Sequence, residues 1–186
     1  MSALPGTAFA PASPFTPVDA RSFREAMARL CSPVTILTSN GQAGLAGCTA
    51  SAVCSITDDP PTLFAVVNRN SRNNAIIRAN GRLCVNVLDA VHENLARRFA
   101  DGELSINQRF EGSDWLETER GLPALGAATA AIDCRIDKIE EVGTHSVFFC
   151  VVEALRLQGD SSGLAYLGRQ FHAISRHQRR GIDRRD

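Results

Sequence analysis

At 186 residues and 44% hydrophobic composition, the chain is sized for one domain with a real core. Twenty Lys+Arg offset twenty Asp+Glu, so no net field gathers a polyanion, and nucleic-acid binding is not expected. No apolar run approaches the ~20 residues of a membrane span, and the first 18 residues lack the basic-then-apolar order of a secretory leader; a soluble cytoplasmic protein is the expectation.

Residues 1–18 carry four Pro among Ala and Ser, and 175–186 carry five Arg; neither shows apolar periodicity. Both read as flexible tails around one domain over 19–174. Asp19 is placed to cap a helix running to residue 30, with Phe23, Ala26, Met27 and Leu30 on one face. Strands follow over 34–38 and 45–56, joined by a hairpin turn at Asn40-Gly41. Asp58-Asp59-Pro60-Pro61 stops the second, because Pro cannot donate to a ladder. A strand over 62–68 leads through a polar turn to a helix over 72–80, capped by Ser71. Then come a strand over 83–88, a helix over 91–100 with Leu95 and Phe99 on its apolar side, and a long connection over 101–118 containing Trp115. Gly121-Leu122-Pro123 marks a turn. Residues 132–136 alternate, with Ile132, Cys134 and Ile136 opposed to Asp133 and Arg135. The apolar run 147–152 reads as a strand covered on both faces, and 164–167 as a short last strand. Six or seven strands with few helices point to an antiparallel barrel with helices on its rim.

The six Cys (31, 48, 54, 84, 134, 150) form no C-x-x-C pair, and most lie in apolar strands. They read as buried reduced thiols, and no metal site is expected. The segment 48–56 is richer in chemistry: small residues, hydroxyls and thiols without charge. Extended backbone carrying small side chains lets a flat ligand lie against its N–H and C=O groups. The nearby helix start, with Ser71, Arg72 and Asn74, offers orphan N–H groups and a cation, as a phosphate requires. A planar ledge beside an anion pocket suggests a flavin nucleotide. Other readings remain open on the residues alone. The hydroxyls of Thr49, Ser51 and Ser55 fit ordinary strand propensity, Ser71 a plain helix cap, His145 a structural or solvent-facing strand entry, Tyr166 a core filler, and Arg109-Phe110 a surface ion pair and an anchor.

The chain resembles the short-chain flavin reductases of the split-barrel flavin-binding fold. The resemblance runs from Phe23-Arg24-Glu25-Ala26-Met27 through Thr49-Ala50-Ser51-Ala52-Val53-Cys54-Ser55, Pro60-Pro61-Thr62-Leu63 and Leu83-Cys84-Val85-Asn86-Val87-Leu88. It continues through Arg109-Phe110, Gly143-Thr144-His145 and Gly163-Leu164-Ala165-Tyr166 to Phe171-His172, in family order over about 21–174. The branch it is most similar to is the reductase component of 4-hydroxyphenylacetate 3-monooxygenase, whose relatives include reductases serving phenol, chlorophenol and pyrimidine monooxygenases and a corrinoid reductase.

The resemblance implies a mainly β, Greek-key split barrel and a homodimer with flavin near the subunit boundary. It implies FAD or FMN held by Thr49, Ala50, Ser51, Ala52, Val53, Cys54 and Ser55, mostly through backbone, with Asn68, Ser71, Arg72, Asn74 and Phe110 completing the site. It implies NADH, or NADPH, beside His145, Tyr166 and Arg169; no basic cluster for a 2′-phosphate is identifiable. Thr144 stands where other branches carry Asp. The implied activity is reduction of a diffusible flavin for a separate aromatic, phenol-type oxygenase; reduction of a corrinoid cobalt, or flavin binding without catalysis, are the alternatives. No Rossmann, Walker, G-x-S-x-G or H-E-x-x-H signature is present. No catalytic side chain is assigned, because in hydride transfer the cofactor carries the chemistry.

Overall fold

Seven antiparallel strands form one sheet whose two outer strands are nearly consecutive in the chain. The strands are β2 (Thr35–Ser39), β3 (Ala46–Ala50), β4 (Val53–Asp58), β5 (Pro61–Asn68), β6 (Arg82–Val87), β9 (Ala130–Val142) and β10 (His145–Leu157). Their order is β3-β2-β6-β9-β10-β5-β4. Laid flat at the usual strand spacing, β3 and β4 would stand about 29 Å apart, yet only Ser51 and Ala52 separate them in sequence. The sheet must therefore curl until its edges meet, which makes a barrel split at the β3–β4 seam. No ladder pairs β3 with β4; Val66 N donates to Ala52 O at 3.0 Å, which carries the β4–β5 pairing one residue into the bend. The computed structural model describes residues 17–159 and 162–175. The tail expectations for 1–16 and 176–186 lie outside the described residues.

The barrel interior collects Leu37, Leu63, Ala65, Leu83, Val85 and Phe148 from four strands, and Ile77 of helix α2 (Arg72–Asn80) plugs it. Gly81 follows α2 in the left-handed region (φ 68°) and closes it as a C-cap. A second core, with Ile36, Leu88, Leu95, Phe99 and Leu164, lies outside the sheet under helix α3 (Glu93–Ala100) and strand β11 (Gly163–Leu167). Strand β11 pairs with β1 (Ser32–Pro33) and β12 (Gln170–Ile174) in a small sheet. A hairpin of β7 (Trp115–Glu117) and β8 (Pro123–Leu125) covers a third group of buried residues around Cys84. Buried Asn86 fastens that hairpin: its Nδ2 donates to Ile36 O and Thr38 Oγ1, both at 3.1 Å, and its Oδ1 accepts from Leu125 N at 2.7 Å.

The mainly β barrel and its rim helices agree with the sequence reading; several details differ. The strand predicted over 45–56 is two strands, because the bend at Ser51-Ala52 sends the chain from one sheet edge to the other. The apolar run 147–152 is not covered on both faces. Ser146, Phe148 and Cys150 face the core while Val147, Phe149 and Val151 stay half-exposed. Asp133 does not face solvent opposite Ile132 and Cys134; it is buried beside Cys84. Helix α1 (Ala20–Met27) is capped by Asp19 as expected, yet none of its residues is buried, and Phe23, Met27 and Leu30 stand open. The connection 101–118 holds an additional short helix, α4 (Ile106–Phe110), started by a Ser105/Gln108 capping box. All six cysteines are free, but Cys31 and Cys54 are exposed and Cys48 half-buried; only Cys84, Cys134 and Cys150 are core.

One close approach sets the position of β3. A Cβ at Gly47 would lie 2.5 Å from Phe99 Cε1 and 3.0 Å from Phe110 Cε2. Those rings cannot retreat: Phe99 and Phe110 pack edge-on at 5.0 Å, and Trp115 wedges both at 5.4 and 4.7 Å. Gly47→Ala is therefore expected to lower unfolding stability by about 1–3 kcal/mol, the range for overpacking a filled core. Urea unfolding checks this, and a change under 0.5 kcal/mol would show that the trio yields.

Candidate functional site

The seam leaves a cleft of about 1010 Å³, at the upper end of the ~300–1,000 Å³ usual for ligand sites. One wall is the end of β3 and the bend, Cys48 through Ala52. The facing wall is the end of β5 with Asn68, followed by Ser71, Arg72 and Asn73 at the start of α2. The third comes from α3 and α4, including Phe99 and Arg109, while His145 stands at the mouth on the β9–β10 hairpin. The barrel split thus brings together residues about a hundred positions apart in sequence.

Thr49, Ala50, Ser51, Ala52, Asn68, Ser71, Arg72 and His145, all singled out from the sequence, line this cleft. The Thr49 hydroxyl is already engaged, donating to Ala96 O at 2.6 Å and tying β3 to α3. Ser51, outside both ladders, and Ala52, engaged only through its carbonyl by Val66 N, offer what the ledge needs, backbone groups beside small side chains. Ser71 Oγ accepts from Asn74 N at 3.1 Å as the cap of α2, and Arg72 is exposed at the first helical position. A helix N-terminus with a cation beside it suits an anion.

Other predicted residues stand elsewhere. Val53, Cys54 and Ser55 lie beyond the bend on β4, off the cleft wall. Asn74 is buried behind the helix start, where its Nδ2 donates to Val67 O at 3.1 Å and anchors α2 on β5. Phe110 stands behind Gly47 in the aromatic trio. Tyr166 and Arg169 line an adjoining hollow of about 440 Å³ that shares Thr49, Ser51 and Ala100 with the main cleft. There Phe171 packs on Tyr166 with ring centroids 5.2 Å apart, and the Arg97 guanidinium lies 4.7 Å over Phe171. Gly168 (φ 59°) and Arg169 (φ 64°) form the two-residue turn between β11 and β12, a left-handed pair typical of tight hairpins. Arg169 bonds Glu25 of α1 at 2.7 Å, and this hydrogen bond and charge hold the Glu25 carboxyl below its usual pKa.

Three wall residues escaped the sequence reading. Asn73 accepts from Gly47 N at 3.2 Å through its Oδ1, joining α2 to β3 across the cleft. Phe23 reaches the cleft from α1. Arg109 belonged to the resemblance with a surface ion pair as the open alternative and was given no place in the site; it is nearly buried and donates to two carbonyls. The Ser105/Gln108 box marked its helix in the sequence; the contact with Gly47, 62 positions away, left no local signal. Burial pushes the Cys48 thiol up to about 12 despite the opposing pull of the Arg109 charge, so this cleft cysteine is a thiol and not a nucleophilic thiolate.

The hairpin carrying His145 is fixed by Glu141. Its carboxylate accepts from Arg78 and from buried Ser146 Oγ at 3.0 Å, with Arg69 3.8 Å away. Arg69 N also donates to Thr144 O at 2.9 Å. Desolvation raises the Glu141 pKa, but these hydrogen bonds and cations outweigh it and hold the carboxyl below the usual value. His145 itself stands exposed, its Nδ1 2.9 Å from Thr144 Oγ1. Among the described residues no three His, Cys, Asp or Glu side chains converge as a metal site would need, and no helix is long and apolar enough to cross a membrane.

Comparison with known proteins agrees with this geometry. The flavin reductase like domain family matches residues 27–175. The 4-hydroxyphenylacetate 3-monooxygenase reductase component of Pseudomonas aeruginosa is 48% identical over 155 residues, 83% of this chain and 91% of that protein. The FMN reductase (NADH) RutF of Serratia proteamaculans is 46% identical over 157 residues, covering 84% and 89%. The NADH:FAD oxidoreductase SgcE6 of Streptomyces globisporus C-1027, in complex with NAD and FAD fragments, superposes with a TM-score of 0.77 at 26% identity, covering 94% of this chain and all of that one. The chain belongs to the flavin reductase like domain family.

Proposed function

We propose that the protein is an NADH-dependent flavin reductase whose flavin, FMN or FAD, lies in the seam cleft. One observation carries the reading: the backbone ledge at Ser51-Ala52, where only Ala52 O is engaged by a strand neighbour, opens onto the same cleft as the N-terminus of α2. A flat ring system and a phosphate on one molecule fit that pair of features. Bound flavin would supply the redox chemistry, accepting a hydride from reduced nicotinamide. The residues need only hold the two rings in register, which is why no acid–base pair is required. Thr49 keeps the ledge against α3 through Ala96, Ser71 and Arg72 receive the phosphate, and Asn68 closes the far wall. His145 at the mouth and Tyr166 and Arg169 in the adjoining hollow are assigned to the nicotinamide dinucleotide.

The relative from Pseudomonas supports a place for this protein as the reductase component of a two-component oxygenase acting on an aromatic, phenol-type substrate. In that role reduced flavin leaves by diffusion, so the site must bind flavin only moderately. Two open apolar surfaces support a homodimer: Phe23, Met27 and Leu30 around α1, and the half-exposed row Phe64, Val66, Phe149 and Val151 on β5 and β10. Phe23 belongs to both the first surface and the cleft, so a second copy covering α1 would also border the flavin.

The purified protein is expected to oxidise NADH only when FMN or FAD is added. Absence of turnover under nitrogen with either flavin, and with NADH and NADPH both tried, would remove the reductase reading. Binding of flavin without turnover would leave a flavin-binding protein.

His145→Ala is expected to raise the KM for NADH about five- to thirtyfold, the equivalent of one lost hydrogen bond. Flavin affinity should change less than twofold. Fluorescence titration followed by NADH kinetics at saturating flavin separates the two effects. Lost flavin binding with an unchanged NADH KM would return His145 to the flavin side or to the fold.

A further inference from the structure

The hollow beside the seam cleft, assigned above to the nicotinamide dinucleotide, has an aromatic floor and a charged rim. Tyr166 and Phe171 make the floor, and Arg97, Asp101 and Arg169 are the charged residues among those lining it. Neither cation is free. Arg97 donates from Nε and Nη2 to Glu93 Oε1 at 3.0 and 2.7 Å, with its guanidinium over the Phe171 ring. Arg169 donates from Nη2 to Glu25 Oε1 at 2.7 Å. With each guanidinium matched by a glutamate, Asp101 is left unbalanced: among the described residues no basic side chain pairs with it. The rim therefore leans negative although two arginines stand on it.

The pairing of Arg169 is built into the backbone. Arg169 follows Gly168 in the β11–β12 turn, and Gly168 N donates to Ala28 O at 2.7 Å, at the end of α1. Glu25 precedes Ala28 by three residues, on the same side of that helix. One helix end thus holds the turn by its main chain and the guanidinium by its carboxylate. Arg24 and Arg29 also pull on Glu25, but they line neither the hollow nor the cleft.

NADPH differs from NADH by a 2′-phosphate on the adenosine ribose, a group carrying about −1.5 to −2 charge at pH 7. A guanidinium recognises such a group when its fork is free. In this hollow the phosphate would have to displace a carboxylate from Arg169 and then lie beside it, with Asp101 on the same rim. A free 2′-hydroxyl meets the same carboxylates as a hydrogen-bond donor. We propose that Glu25 is a specificity residue that selects NADH over NADPH by holding Arg169 in an ion pair. This rests on the reading that the protein is a nicotinamide-dependent reductase whose dinucleotide enters this hollow. Both partners of the pair are more than half exposed, so solvent and salt screen it and the selectivity it gives is several-fold.

Steady-state kinetics with NADH and NADPH at saturating FMN test this in wild type, Glu25→Gln and the double variant Glu25→Gln/Arg169→Gln, with FMN fluorescence titrations alongside. Wild type should show a kcat/KM at least about fivefold higher for NADH. Glu25 lies on a helix with no buried residue, so Glu25→Gln should fold as wild type does. It should raise kcat/KM for NADPH about three- to tenfold, change that for NADH less than twofold, and leave FMN affinity unaltered. The double variant should lose the gain on NADPH. In wild type the preference for NADH should shrink about twofold or more as salt rises from about 0.05 to 0.5 M. Equal use of both nucleotides by wild type, an unchanged NADPH value in Glu25→Gln, or a parallel rise for both nucleotides would overturn the proposal. So would a gain that persists without Arg169, a preference indifferent to salt, or weakened FMN binding in Glu25→Gln, which would make Glu25 a packing residue of α1. Each of these leaves the reductase reading standing. A wild type that oxidises neither nucleotide with FMN or FAD sinks that reading, and the Glu25 assignment with it.

Discussion

Everything functional here follows from a two-residue connection between opposite edges of one sheet. Ser51 and Ala52 are too short to cross a flat seven-stranded sheet, so the chain can obey both its ladders and its connectivity only by curling. At the junction Ser51 belongs to neither ladder and Ala52 joins the β4–β5 pairing only through its carbonyl, so backbone groups are left beside the gap. Small side chains are needed there because anything larger would fill the gap. The split is thus a consequence of closing the barrel by chain connection without hydrogen-bonding its edges, and the cleft is the space that this closure leaves.

The aromatic trio shows how the curl is held. Gly47 lets β3 approach Phe99 and Phe110 closely, and Thr49 and Gly47 tie the same strand to α3, α2 and α4 through Ala96, Asn73 and Arg109. Packing outside the barrel therefore fixes a strand whose inner residues, Ala46 and Ala50, belong to the barrel core. The ledge is rigid because both faces of β3 are occupied.

Much of this was legible in the sequence. The strands at 34–38, 62–68 and 83–88, the Ser71 cap and the helix after it rest on local patterns of apolar alternation, turn residues and capping chemistry. The family resemblance named the segments that meet at the cleft. What the sequence hid was set by contacts distant along the chain. The break at 51–52 was invisible because the residues on either side are equally good in a strand. Asp133 reads as an outward residue until β7 and β8 cover that face. Arg109 and Asn73 look like surface polar residues until the barrel brings Gly47 between them. Helix α1 shows an amphipathic pattern, yet among the described residues nothing buries its apolar side.

The two halves of the cleft are held by different forces. The side proposed for the flavin stands on buried contacts: Ile77 in the barrel, Asn74 on Val67, and the Phe99–Phe110–Trp115 packing. The hairpin carrying His145 is held instead by half-exposed ion pairs of Glu141 with Arg78 and Arg69, contacts that contribute little to stability in water. Its buried anchor is Ser146, adjacent to His145, bonded to the same carboxylate. A change at Glu141 therefore acts on where His145 stands more than on whether the barrel folds. Because Arg78 belongs to α2 and Arg69 to the turn before it, this one carboxylate connects the element proposed for the donor to the helix proposed for the phosphate.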